Sequence, residues 1–73
     1  MNFPDELKKI RQKCLLSQAE FAESIKVSFS TVNRWEVGKA KPNLNAMKSL
    51  KEFCKKNDID FSCLEKTWLT YNK

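Results

Sequence analysis

Apolar residues recur along the chain at intervals of three and four, and no stretch alternates steadily between apolar and polar positions. The first spacing is typical of amphipathic helices, and the second is typical of half-buried strands. The chain also has one glycine and two prolines among its 73 residues, and turn-rich β folds use both residues far more often. The pattern therefore predicts an all-α fold, a compact bundle of about five short helices joined by short loops.

Local start and stop signals place the first three helices. Helix one follows Pro4, a favourable first-turn residue, and helix two opens at Ser17, which can form a capping box with Glu20. Ser28 is a suitable N-cap for helix three, and Gly38 ends that helix. Three short amphipathic helices are therefore predicted up to Gly38.

Two further helices are predicted after the loop 39–42. Helix four starts behind Asn43 and frays at residues 55–58, and helix five starts at Ser62 in a second capping box with Glu65. The apolar spacing also predicts the core, although the aromatic residues of helix five could instead form an exposed patch for a partner. The predicted core-facing residues are Leu7, Ile10, Cys14, Phe21, Ala22, Ile25, Val32, Trp35, Leu44, Met47, Leu50, Phe53, Cys54, Leu64, Trp68 and Tyr71.

The composition argues against most catalytic and metal chemistry. A chain of 73 residues has room for one small domain, so residues 1–73 are predicted to form a single domain. Histidine, the most common general base and transition-metal ligand, is absent. Cys14, Cys54 and Cys63 show no CxxC spacing. The sequence therefore predicts no enzyme activity, no catalytic residue, no metal site and no cofactor.

The cysteines and the N-terminus indicate a cytoplasmic protein. An odd number of cysteines does not suit a disulfide framework, so the three are predicted to be reduced, small core residues. No signal peptide is recognised, and no apolar run approaches the roughly 18 residues that span a bilayer, so no membrane contact is predicted. The net charge of +5 is spread along the chain and by itself is weak support for nucleic-acid binding.

Helices two and three point more directly to nucleic acid. The turn around residues 25–28 has the length found in a helix-turn-helix motif, whose second helix lies in the DNA major groove. Asn33 and Arg34 lie on that helix, and their side chains can make paired hydrogen bonds to adenine and guanine edges, respectively. Phe29 is either a hydrophobic staple or, the favoured interpretation, an exposed contact to a thymine methyl group. Lys39 and Lys41 follow on a loop suited to phosphates.

Four segments carry a resemblance to a known family: QAEFA (18–22), VSFSTVNRWE (27–36), GK (38–39) and KP (41–42). In this order they resemble the phage-repressor/Cro-like helix-turn-helix family, often called XRE, over about residues 5–60. The resemblance implies a lambda-repressor-like domain with its motif at about residues 17–37 and its recognition helix at about 28–37. The family usually has glycine where this chain has Leu15 and Lys26, so either these turns differ or their backbone is strained.

The resemblance also implies roles for individual residues. Gln18 would bind a DNA phosphate and brace the recognition helix, and Arg34 would reach a base edge or a phosphate. Arg11 and Glu36 would form a structural ion pair that ties helix one to the end of helix three. The residues that the resemblance and the residue chemistry together assign to DNA binding are Gln18, Ser28, Phe29, Ser30, Thr31, Asn33, Arg34, Lys39 and Lys41.

These observations predict a sequence-specific double-stranded DNA-binding protein, a bacterial or phage transcriptional regulator without chemistry of its own. One such domain contacts half an operator, so a homodimer on a pseudo-palindrome with half-sites roughly 34 Å apart is expected. Its interface is predicted on the last helix, around Leu64, Trp68 and Leu69. Two alternatives remain open: an antitoxin or other protein-binding module with residues 60–73 docking the partner, and an adaptor domain that keeps the fold without reading DNA.

Overall fold

The structure, a computed structural model, describes residues 2–72 and contains five α-helices with no strand in that part of the chain. The all-α prediction is therefore confirmed. None of the described helices is both long enough and apolar enough to cross a membrane. The helices are α1 (Phe3–Lys13), α2 (Gln18–Ser24), α3 (Phe29–Glu36), α4 (Leu44–Lys56) and α5 (Ser62–Thr70).

Side chains cap the N-termini of the first four helices. The caps Asn2, Ser17, Ser28 and Asn43 each accept a hydrogen bond from a backbone N–H in the first turn of the helix that follows. The predicted capping box of α2 is confirmed, because the Ser17 hydroxyl accepts from the Glu20 backbone at 3.1 Å and the Glu20 carboxylate accepts from the Ser17 backbone at 2.9 Å. These bonds lower the pKa of the exposed Glu20 carboxyl.

The capping box predicted for α5 is wrong. The N-cap of α5 is Phe61, which makes no side-chain hydrogen bond to the helix. Instead, the carboxylate of Asp60 accepts from the backbone N–H of Ser62 at 2.9 Å, and this bond lowers the pKa of Asp60. Helix α5 does begin at Ser62, but the turn made by Asp60 puts Phe61 at the N-cap, so that Ser62 lies inside the first turn and does not cap it.

The core draws residues from all five helices, and most of the predicted positions lie in it. Leu44 is an exception: it is exposed because it is the first residue of α4 and lies on the same face as exposed Lys48 and Lys51. Phe3 is fully buried and was not predicted, although its spacing to Leu7 and Ile10 carries the helical signal. The buried apolar residues are Phe3, Leu7, Ile10, Phe21, Ala22, Ile25, Val32, Trp35, Met47, Leu50, Phe53, Cys54 and Leu64.

Helices α1 to α4 end in the same backbone motif. In α2, the N–H of Lys26 donates to Glu23 at 3.2 Å, and the next N–H, from Val27, donates to Ala22 at 3.0 Å. This pair of bonds is the Schellman motif, which needs a residue with positive φ after the C-cap. The turns after α1 and α2 therefore match those that suit glycine, and Leu15 and Lys26 carry backbone strain of about 1 kcal/mol each. The positive-φ residues are Leu15 (59°), Lys26 (61°), Gly38 (82°) and Asp58 (57°).

Candidate nucleic-acid interface

Helices α2 and α3 pack against each other and present one face of α3 to solvent. Val32 and Trp35 are buried, which fixes the inward face of α3. The remaining positions carry polar side chains or Phe29, so that α3 combines an apolar anchor with an outward face able to make hydrogen bonds. On this outward side Phe29, Ser30 and Arg34 are exposed, Thr31 and Asn33 are half-buried, and the N-cap Ser28 is exposed.

The N-terminus of α3 holds a cluster of hydroxyl groups. Ser28 caps the helix, and its Oγ lies 2.7 Å from the Thr31 hydroxyl and 3.3 Å from the Ser30 hydroxyl. These bonds fix the three side chains beside one another at the start of α3. Hydroxyl groups both donate and accept, so this end of the helix can meet either a base edge or a phosphate.

Phe29 lies on the outward side of the motif. Its side chain is 55% exposed and borders a shallow groove on α2 lined by Ala19 and Ala22. The staple position before the N-cap is held by Val27, which packs against the core. Phe29 is therefore an exposed aromatic residue beside the hydroxyl cluster and not a buried staple.

An ion pair between half-buried Arg11 and buried Glu36 joins α1 to the end of α3. The guanidinium of Arg11 donates from Nε to Glu36 Oε2 at 2.7 Å and from Nη2 to Glu36 Oε1 at 3.0 Å. Its Nη1 donates to the backbone oxygen of Leu16 at 2.9 Å, which adds the α1–α2 turn to the contact. The Glu36 side chain is 1% exposed, and its hydrogen bond raises the pKa of Arg11. This geometry holds three segments of the chain in fixed positions.

The ion pair continues into α2 and the outward side of α3. Gln18 donates from Nε2 to Glu36 Oε1 at 3.0 Å, and Asn33 donates from Nδ2 to Gln18 Oε1 at 3.3 Å. The structure therefore brings together two predicted DNA-binding residues and the ion pair. The resemblance implied that Gln18 braces the recognition helix, but it did not name these two partners; the spacing of Asn33 and Glu36, three apart on one helix face, was the available signal.

The two lysines of the loop after α3 differ from each other. Lys39 is exposed, and only its backbone N–H is used in the helix end, donating to Arg34 at 2.9 Å. Lys41 is half-buried, and its Nζ donates to the backbone oxygens of Trp68 at 3.1 Å and Tyr71 at 3.0 Å. The same Nζ lies 5.0 Å from the centroid of the Trp68 ring. Lys41 thus caps the C-terminal end of α5 in this structure, where a phosphate contact was predicted, because the negative end of the helix dipole and its last carbonyls attract a cation.

Trp68 and Tyr71 connect the C-terminal end of α5 to residues 38–42 by hydrogen bonds. The indole Nε1 of Trp68 donates to the Pro42 oxygen at 2.7 Å, and the hydroxyl of Tyr71 donates to the Gly38 oxygen at 3.2 Å. Both rings are half-buried and pack against the core. They therefore complete the core and do not form an exposed patch for a partner. Leu64 is fully buried against the rest of the fold and cannot contribute to a dimer interface, whereas Leu69 is 66% exposed.

The cysteines occupy three different environments. Cys54 is buried, which raises the pKa of its thiol to about 11, whereas Cys14 is half-buried. Cys63 is exposed on α5, so the prediction that all three are core residues is wrong for this one. In the part of the chain that the structure describes, cysteines and carboxylates form no group that could hold a metal ion.

The comparisons with known proteins agree with this architecture. The model of the helix-turn-helix family matches residues 7–60, and the chain belongs to this XRE-type family. Among curated proteins the chain is similar to the HTH-type transcriptional activator BcrR of Enterococcus faecalis, with 34% identity over 53 residues. That match covers 73% of this chain and 26% of the relative, so the chain spans about a quarter of the relative's length. No solved structure matches the chain.

Proposed function

We propose that the chain binds double-stranded DNA in a sequence-specific manner, as the DNA-binding domain of a bacterial or phage transcriptional regulator. The observation that carries this proposal is the division of α3 into a buried apolar face and an outward face with Ser30, Asn33 and Arg34. In a helix-turn-helix motif this outward face enters the major groove. The relative's printed description as a transcriptional activator supports the same class of function.

The outward face of α3 supplies base readout in this proposal. Asn33 suits adenine and Arg34 suits guanine, while Phe29 suits a thymine methyl group. Gln18 and Lys39 contact phosphates on either side of the groove, which sets the position of the helix without reading sequence. Lys41 is left out of this set because its ammonium group is bonded to α5.

Regulation then follows from occupancy of a promoter, by occlusion or by activation, and the protein acts in the cytoplasm by binding alone. One recognition helix spans half an operator, so two copies bind a pseudo-palindrome with half-sites about 34 Å apart. The exposed Leu69 on α5 is available for contact between copies, whereas Leu64 is not.

The direct test is selection of bound sequences from random duplex DNA at two salt concentrations. We expect a shared, two-fold-related motif whose preference persists at the higher salt. Arg34→Ala should lower affinity for this motif by about 1–3 kcal/mol, whereas Lys66→Ala, a matched change of an exposed cation on α5, should not change the preference. Weak binding without a motif, lost as salt rises, would contradict the proposal and favour the adaptor alternative.

The antitoxin or protein-binding alternative rests on Leu69. This large apolar side chain is exposed on α5, next to exposed Lys66 and Thr70, and could meet a protein partner. Deletion of residues 60–73 is a poor test, because it would remove buried Leu64 along with the exposed face. Leu69→Lys changes the exposed face alone. Under this alternative it abolishes partner binding and leaves DNA binding intact.

A further inference from the structure

Gln18 links Asn33 to Glu36 through two hydrogen bonds, and the donor and acceptor of each bond are fixed. Glu36 is held as a carboxylate by two bonds from Arg11, and a carboxylate offers acceptors only. Gln18 must therefore turn its NH₂ group toward Glu36, which it does at 3.0 Å. The amide oxygen of Gln18 then faces Asn33, so Asn33 in turn must donate its own NH₂ group, at 3.3 Å. The buried charge thus determines which way both amides point.

The direction of the Asn33 amide decides what it offers to a base. An amide has two N–H groups and one acceptor oxygen, so one N–H and Oδ1 remain after the bond to Gln18. Adenine presents an acceptor at N7 and a donor at N6 in the major groove, which is the complementary pair. The reversed amide would place two oxygens together at Gln18, where they repel each other.

We infer that Glu36, held by Arg11, is a positioning residue for base selection: it orients Gln18 and Asn33 so that Asn33 presents one donor and one acceptor to an adenine. This inference rests on the proposed function, in which α3 lies in the major groove. It gives the ion pair a role in specificity besides its structural role. A purely structural ion pair would affect all DNA sequences alike when weakened.

The test is Glu36→Gln, measured as a ratio of dissociation constants. Glutamine has nearly the same shape, but its amide can present either end to Gln18, so the chain of bonds loses its direction. The two DNAs are the selected operator and the same operator with the adenine contacted by Asn33 replaced by guanine. That adenine is the position whose preference disappears in Asn33→Ala. We expect the ratio to fall roughly tenfold in Glu36→Gln, toward its value in Asn33→Ala.

Glu6→Gln is the matched control. Glu6 is also a buried carboxylate, 8% exposed, but it lies at the start of α1 outside the chain of bonds. It should leave the adenine preference unchanged. Thermal unfolding of both variants fixes a temperature at which each is folded. If Glu36→Gln does not fold, Gln18→Ala removes the middle of the chain and leaves the ion pair intact, and it should reduce the same ratio.

Side-chain amide resonances provide a second measurement without DNA. Glu36→Gln should shift the ¹⁵N–¹H signals of Gln18 and Asn33, whereas Glu6→Gln should leave both in place. A wild-type adenine preference that survives both Glu36→Gln and Gln18→Ala would overturn the positioning role alone. A wild-type chain with no sequence preference would overturn the proposed function, and the positioning role with it.

Discussion

The C-terminal end of α3 and the ends of α1, α2 and α4 share one backbone motif but differ in their side chains. The other three ends place Leu15, Lys26 or Asp58 at the positive-φ position, and the next residue in each case is apolar and packs against the core. At the end of α3 the positive-φ residue is Gly38, and the next residue is the exposed Lys39. The α3 end is thus the one that does not turn back into the core.

The difference shows that positive φ alone does not demand glycine in this chain. Leu15 is 90% exposed, so its side chain extends into solvent and only the backbone is strained. At Gly38 a Cβ atom would lie 2.7 Å from the hydroxyl of Tyr71, closer than such atoms approach. The one glycine of the chain stands where Tyr71, the C-cap residue of α5, contacts the end of α3, so a tertiary contact explains its position.

The largest expected effect is that of Gly38→Ala. The backbone strain and the clash with Tyr71 should together lower the free energy of unfolding by about 2 kcal/mol or more, which corresponds to roughly 10 °C in Tm for a domain of this size. Chemical denaturation measures it. Adding Tyr71→Phe removes the clashing hydroxyl, so the double variant should lose less than the sum of the two single losses. A strictly additive loss would show that backbone strain alone matters at Gly38.

An intermediate effect is expected at the two loop lysines. Lys41→Met should lower stability by about 1 kcal/mol, because the Tyr71 carbonyl loses its donor and the Trp68 carbonyl keeps only the backbone N–H of Tyr71. It should leave the salt dependence of DNA binding unchanged. Lys39→Met is the matched control: stability should stay constant, while the slope of affinity against salt should fall by about one. The reverse pattern would place Lys41, and not Lys39, on the phosphates.

The smallest effect is a gain. Lys26→Gly and Leu15→Gly should each raise the free energy of unfolding by about 0.5–1 kcal/mol, since glycine relieves the positive-φ strain at little cost in contacts. Lys8→Gly, at an exposed position within α1, should instead destabilise by about 1 kcal/mol. Thermal melting of the three variants measures both the two expected gains and the one expected loss in stability. A loss at Lys26 and Leu15 would show that their side chains stabilise the turns through contacts.

Much of the fold could be predicted because its determinants are local. Apolar spacing gave the helices, and adjacent residues such as Ser17 and Glu20 gave the capping box of α2. Apolar spacing gave the wrong result for Leu44, because spacing alone does not show at which residue the buried face of a helix begins. The role of Asp60 was not predicted, because the Asp60 side chain and the Ser62 side chain are both able to bond the backbone at the start of α5, and residue type alone does not decide between them.

The candidate site was less predictable because its contacts join distant parts of the chain. Lys41 lies next to a motif that suggests phosphates, but its partners at Trp68 and Tyr71 are 27 and 30 residues away. Gln18 and Asn33 could be assigned to DNA by residue type and family. Their bonds to each other and to Glu36 also depend on how α2 and α3 pack, which the spacing of Asn33 and Glu36 within one helix does not encode.

The single ammonium group of Lys41 couples α5 to the loop after α3. Two of its three N–H groups bond to the carbonyl end of α5, so a phosphate that takes either of them competes with α5. Anion binding to Lys41 and docking of α5 therefore oppose each other. By thermodynamic linkage, docked α5 weakens anion binding by the same free energy by which a bound anion weakens the docking of α5. Helix α5 lies beyond residue 60, the last residue that the family model matches. The positive charge that this loop can offer to an anion therefore depends on whether α5 is docked. It is smaller than the number of lysines in the loop suggests.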